Sequence, residues 1–166
     1  MPSSGRESLL APGPTGLARA IQRYDAAKAS AAHDRDDLLI PCLEALWWAR
    51  ALDEHLDAGD YRARRDANEA GRVLGGIRWA RNRGNHDFTP VLEWQDGLTW
   101  PATWPVNWGD YKWVSTEDLA VTGRSGKDRP GMQAYTAHPS GQPVQNALYQ
   151  TEIWLRSEAQ SHSPRA

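Results

Sequence analysis

Within the stretch RNRGNHDF, residues 81–88, two overlapping sets of side chains are spaced to do chemistry. Arg81 and His86 combine a permanently charged, fork-shaped guanidinium with an imidazole that titrates near neutral pH. One can stabilise the negative charge that builds on a pentavalent phosphorus, and the other can give or take the proton. Asn82 adds an amide able to orient either group. Such a set needs no metal. The overlapping tetrad Gly84-Asn85-His86-Asp87 instead offers nitrogen and oxygen donors of the kind that hold a divalent cation.

The tetrad resembles a metal-binding motif of calcineurin-like phosphoesterases, and its context argues against that resemblance. A two-metal site draws about five or six ligands from several strand ends. Here the residues before Gly84 carry a helical pattern, and GDYRAR at 59–64 starts like a second metal motif but lacks its later Asp. His33, His55, His138 and His162 are scattered without a helical His-x-x-x-His pair, and the single Cys42 makes no cluster. No metal and no cofactor is expected. There is no Gly-x-Ser-x-Gly elbow, and Gly126-Lys127 is followed by Asp128 where a phosphate loop needs Ser or Thr.

The elements that must position Arg81 and His86 follow from hydrophobic period. Leu17, Ile21, Tyr24 and Lys28 mark a first helix beginning near Gly16, its apolar stripe ending in a charge. Pro41 suits the first turn of a second, with Cys42, Leu46, Ala49, Leu52 and Leu56 on one face and Gly59 as its stop. A third runs from about Asp66 or Gly71 to Arg83. Val73, Ile77 and Ala80 lie on one face, and Gly84-Asn85 forms a left-handed stop. Gly75-Gly76 weakens its early part by roughly 1 kcal/mol each relative to Ala. Pro and Gly then break the segment that holds Trp94, Trp100, Trp104, Trp108 and Trp113, leaving loops and a short strand or hairpin over 111–114. Two further helical pieces follow. The last begins at Pro143 and shows Val144, Leu148, Thr151 and Leu155 on one face.

Charge is distributed unevenly in a chain whose formal net is −2. Residues 33–60 hold eight acids against Arg35 and Arg50, a net of −6, whereas residues 62–83 hold seven arginines against Asp66 and Glu69, a net of +5. A local positive segment in a near-neutral chain can bind an anion at one place without general stickiness. The acidic and basic segments can equally pair with each other. An apolar fraction of 40% is ordinary for a packed domain, and the longest apolar run, residues 38–43, is far too short to cross a bilayer. A cytoplasmic location is expected, with Cys42 as a small core residue.

Arg81-Asn82, then His86, then Phe88, at the end of a helix that follows a long amphipathic helix, resembles the signature of HEPN-domain proteins over roughly residues 35–90. The resemblance implies a mainly α, HEPN-like helical bundle carrying a Trp-rich, partly irregular insertion with a short strand. Its expected layout is a disordered leader over 1–14, a single domain over 15–158 and a disordered tail over 159–166. Within the domain, 15–90 is the helical core with the motif, 91–127 the insertion and 128–158 the C-terminal helices. It further implies a metal-independent endoribonuclease cleaving RNA by 2′-hydroxyl transesterification. A homodimer completes the composite active site, and a toxin or defence setting with an antitoxin or regulatory protein is common. By that analogy Arg81 stabilises the phosphate, His86 transfers protons and Asn82 orients one of them or holds the backbone. Arg78 and Arg83 guide the RNA backbone or form surface salt bridges, Asp53 or Glu54 orients Arg81 or His86, and Phe88 packs. Two bland alternatives stand beside this. Arg81 and His86 can cap a helix end, and the whole can be a catalytically inactive HEPN-like module that binds a protein or nucleic-acid partner. Trp47, Trp48 and Trp79 read as core or interface. The loop tryptophans read as a satellite core, with base stacking as the other use.

Overall fold

The computed structural model describes residues 12–30, 33–84, 87–97, 109–119 and 129–162. It is mainly helical: α1 (Pro12–Ala29), α2 (Arg35–Leu56), α3 (Tyr61–Ala67), α4 (Glu69–Arg83), a 3-10 turn (Thr89–Val91), β1 (Leu92–Gln95), β2 (Asp110–Trp113), α5 (Arg129–Ala137) and α6 (Val144–His162). The chain has no helix long and apolar enough to cross a membrane among these residues.

Both ends of the helical region extend past their expected limits. Helix α1 starts at Pro12, inside the stretch assigned to a leader, because prolines are tolerated in a first turn whose N–H groups have no partner anyway. Helix α6 continues to His162, where a tail was expected from 159, and Ala159 is buried against the core. Residues 1–11 and 163–166 lie outside the described residues.

Helix α2 begins six residues before Pro41, so that proline sits inside the helix and not in its first turn. A reciprocal cap sets the start: the Asp34 carboxylate accepts from the Asp36 and Asp37 amides, and Asp37 accepts from the Asp34 amide, all at 2.9 Å. The predicted third helix is two. Asn68 ends α3 and caps α4, accepting from the Gly71 amide at 3.1 Å.

The core lies where the periodicity placed it. Leu17, Ile21 and Tyr24 of α1, Leu38, Cys42, Leu46 and Leu52 of α2, and Val144, Leu148, Thr151 and Leu155 of α6 are buried. Helix α2 packs on α1 and α6, and α4 packs on α3, α5 and α6. Burial pushes the Cys42 thiol well above its ordinary pKa, in keeping with a packing role.

Strand β1 had not been anticipated. It pairs antiparallel with β2 in the register Leu92 to Trp113, Glu93 to Lys112, Trp94 to Tyr111 and Gln95 to Asp110. Four residues with one Trp carry too little alternation to read as a strand without their partner. The hairpin is held to the helices by a satellite core. Trp113 is fully buried and meets Tyr135 edge-on at 6.2 Å, Tyr135 in turn meets Trp79 at 5.3 Å, and Trp94 meets Tyr111 at 5.2 Å. The packing reading therefore holds for Trp94 and Trp113. Trp100, Trp104 and Trp108 lie outside the described residues.

Candidate functional site

The site is built on α4, whose position two glycines decide. A Cβ on Gly76 would fall 2.8 Å from backbone atoms of Tyr135, so α4 and α5 approach more closely than any side chain permits. At the other end, Gly84 has φ −75°, not the left-handed conformation expected of a helix stop. Glycine is needed there for space, since a Cβ would meet the Asp87 carbonyl oxygen at 2.3 Å, where the chain folds back with the Asp87 amide on the Gly84 carbonyl at 3.0 Å. Asn85 and His86 lie outside the described residues, so the expected proton-transfer residue takes no part in the geometry that follows.

Successive helical residues turn by roughly 100°, and this separates Arg81 from Asn82. Arg81 points towards α2. Its side chain is 9% exposed, its Nη1 lies 3.6 Å from Glu54 Oε1, and its Cζ stands 6.0 Å from the centre of the Trp47 ring. Glu54 also accepts from Arg50 Nε at 2.8 Å, and Arg50 covers the same indole at 4.8 Å. Burial and the neighbouring Arg50 charge lower the Arg81 pKa from its ordinary value, against the pull of Glu54. Phe88 closes the floor, buried and edge-on to Trp47 at 6.3 Å, as a packing residue should. The hollow that these residues share with Asp53, Arg78 and Leu46 measures about 20 Å³.

Of the two carboxylates expected to orient the motif, Glu54 reaches Arg81 and Asp53 does not. Asp53 is 2% exposed and accepts from Tyr61 Oη at 2.8 Å, Arg78 Nη1 at 3.2 Å and Arg65 Nη1 at 3.4 Å. Tyr61 itself receives Trp154 Nε1 at 3.2 Å, which ties the buried carboxylate to α6. Asp53 and His55 do form an Asp-x-His pair, the partner motif of the metal-binding tetrad that was expected to be absent. It stands inside α2 with its carboxylate already occupied, not at a strand end.

Asn82 is exposed on a different face of α4, facing a cleft of about 540 Å³ between α3, α4 and α5. Arg62, Arg65, Arg72, Arg78 and His138 line the same cleft. The structure thus places Asn82 away from the Arg81 hollow, so it does not orient Arg81; its other expected partner, His86, lies outside the described residues. Arg78 borders both spaces and is held by Asp53 and by Asp57 at 3.6 Å, so salt bridging occupies part of its fork. Arg83 is half-buried with its Cζ 5.0 Å from the Trp79 ring centre.

The acidic and basic segments do pair. Asp57 takes Arg62 in a two-pronged contact at 2.6 Å, Asp60 takes Arg64, and Asp53 and Glu54 take Arg65, Arg78 and Arg81. The convergence of four arginines on one volume is not legible in the order of residues, because Arg62 and Arg65 stand on a separate helix from Arg72 and Arg78, and His138 follows the end of a third. Comparison of the chain with protein-family models, with curated proteins and with solved structures returned no match.

Proposed function

We propose that the chain is a HEPN-like helical protein acting on RNA as a metal-independent endoribonuclease. In this reading a 2′-hydroxyl gives up its proton and attacks the neighbouring phosphorus, and Arg81 stabilises the phosphorane. The P–O5′ bond then breaks to leave a 2′,3′-cyclic phosphate and a 5′-hydroxyl. His86 moves the proton that the 2′-oxygen loses and the 5′-oxygen gains. The observation that supports it is the hold of the half-exposed Glu54 on Arg81 in the last turn of α4. A carboxylate and a phosphate are interchangeable partners for a guanidinium. An ion pair with one partner this exposed contributes no more than about 1 kcal/mol, so exchanging one anion for the other costs little. The hollow of about 20 Å³ has room for roughly one water. Substrate entry therefore requires Glu54 to swing outward, and a second copy of the chain is proposed to build the facing wall.

The coverage of Arg81 favours a second reading, in which the motif is structural and the module binds a protein or nucleic-acid partner without catalysis. RNA cleavage in chelator separates the two. The wild type is expected to cut, and Arg81→Ala and His86→Ala to lose at least about 100-fold in rate. Intact RNA with the wild type, or full activity of His86→Ala, rejects the enzyme. Loss of cutting with chelator alone rejects the metal-free mechanism.

A further inference from the structure

The cleft between α3, α4 and α5 is not used by the reading above. Arg72 lies nine residues before Arg81 on α4, about 13 Å along the helix axis. We infer that this cleft is a binding site for a compact anion bearing two or more phosphoryl groups.

Four guanidiniums, those of Arg62, Arg65, Arg72 and Arg78, converge on its volume of about 540 Å³, within the ordinary range for small-ligand pockets. Counting the described residues alone, Asp53, Asp57 and Asp66 pair with three of them, which leaves one positive charge in excess. Among the described residues no carboxylate lies within ion-pair distance of Arg72.

Arg65 is taken at all three nitrogens, by Asp66 at Nε and Nη2 and by Asp53 at Nη1, whereas the carboxylates orient the forks of Arg62 and Arg78 without filling them. Asp57 binds Arg62 through Nε and Nη2, leaving Nη1 without a hydrogen bond among the described residues. Asp53 and Asp57 both approach Arg78 at Nη1, leaving its Nε and Nη2. Guanidinium N–H groups fixed in this way match the many oxygens of a polyphosphate, because the cost of ordering long side chains has been met in folding. Asn82 and His138 add neutral hydrogen-bonding groups at the rim.

Among the described residues the lining contains no Trp, Tyr or Phe. Single-stranded nucleic acid is held by an extended basic groove interleaved with aromatic rings that stack its bases. Several cations around one compact space suit concentrated charge better than the single, spaced charges of a diester backbone.

The test is calorimetric titration of the full chain with inorganic pyrophosphate at low salt. A Kd below about 100 µM is expected, corresponding to a site of ordinary small-ligand strength. Arg72→Gln should weaken binding at least about tenfold through loss of a charge-assisted contact, whereas Arg23→Gln, the same charge change on α1, should leave it unaltered. Arg72 is exposed, so the variant is expected to unfold at the wild-type temperature, which separates lost binding from lost fold. The proposal is overturned if pyrophosphate binds no tighter than sulfate, or if Arg72→Gln binds as the wild type does. It is likewise overturned if a 5′-hydroxyl oligoribonucleotide, which carries diesters only, binds as tightly as pyrophosphate. None of these readings depends on whether RNA is cleaved.

Discussion

Glu54 and Arg81 meet at 3.6 Å across the α2–α4 boundary, one half-exposed and the other nearly covered. The carboxylate therefore occupies the approach to the guanidinium. Glu54→Gln is expected to weaken that hold and leave Arg81 open to another anion. RNA affinity, measured by filter binding, should rise severalfold, while the unfolding temperature changes little because exposed ion pairs contribute about 1 kcal/mol or less. Unchanged affinity in Glu54→Gln would show that the carboxylate does not gate the site.

Asp53 is the opposite case. It is buried and receives Tyr61, Arg65 and Arg78, so removing its charge leaves the Tyr61 hydroxyl without its acceptor and takes from Arg65 and Arg78 one of the two carboxylates that each contacts. Asp53→Ala should lower stability by about 3–5 kcal/mol, as breaking a buried pair by deleting one partner does. Denaturant unfolding measures it. A loss under 1 kcal/mol would mean that the network contributes little to the fold.

The adjacent glycines of α4 should respond with opposite signs. Gly75 has nothing nearer to a built Cβ than Arg65 Nε at 3.8 Å, so Gly75→Ala is expected to gain up to about 1 kcal/mol from helix propensity. Gly76→Ala must push α4 away from the Tyr135 backbone, now 2.8 Å from the built Cβ, and should lose about 1–3 kcal/mol despite the same propensity gain. Thermal unfolding of the two variants side by side decides it.

Asp57 supplies a pH signature. Hydrogen bonding to Arg62, with the charges of Arg62 and Arg78, holds its carboxyl below the usual pKa against a small burial cost. A depressed folded-state pKa stabilises at and above the ordinary carboxylate range, near pH 4, and that contribution is lost as pH falls through the lowered value. The unfolding temperature of Asp57→Asn should therefore lie below that of the wild type at pH 6 and approach it between about pH 4 and pH 2. A gap that persists at the acid end would show that packing, not charge, is what the substitution removes.

Periodic apolar stripes made the helical framework legible. Leu17, Ile21 and Tyr24, and later Val144, Leu148 and Leu155, alternate at three and four residues because burial selects one face, and each is buried. Local polar signals were harder to use. Asp34, Asp36 and Asp37 are all of a type that can cap a helix, and only the reciprocal contact of Asp34 with Asp37 reveals which of them starts α2. Gly84 was assigned to backbone conformation, whereas its neighbour Asp87 demands it for space, a reason invisible without the folded chain. At the candidate site, the sequence showed a surplus of arginines near position 81 but not the direction of each. Arg81 and Asn82 are adjacent in the chain and part company by the helical turn between them, and Arg62 joins Arg72 only because a corner at Asn68 folds α3 onto α4.

Helix α1 keeps its polar partners far along the chain. Tyr24 and Lys28 bond to Asp110, Lys28 also to Gln145 at 2.9 Å, and Asp25 accepts from Gln145 and from Tyr149 at 2.6 and 2.7 Å. During synthesis α1 can therefore lay its apolar face on the adjacent α2 well before these polar partners have left the ribosome. A nascent chain halted before Gln145 holds that helix by its packing on α2 and by Asp110, without the contacts that Gln145 and Tyr149 make to Lys28 and Asp25.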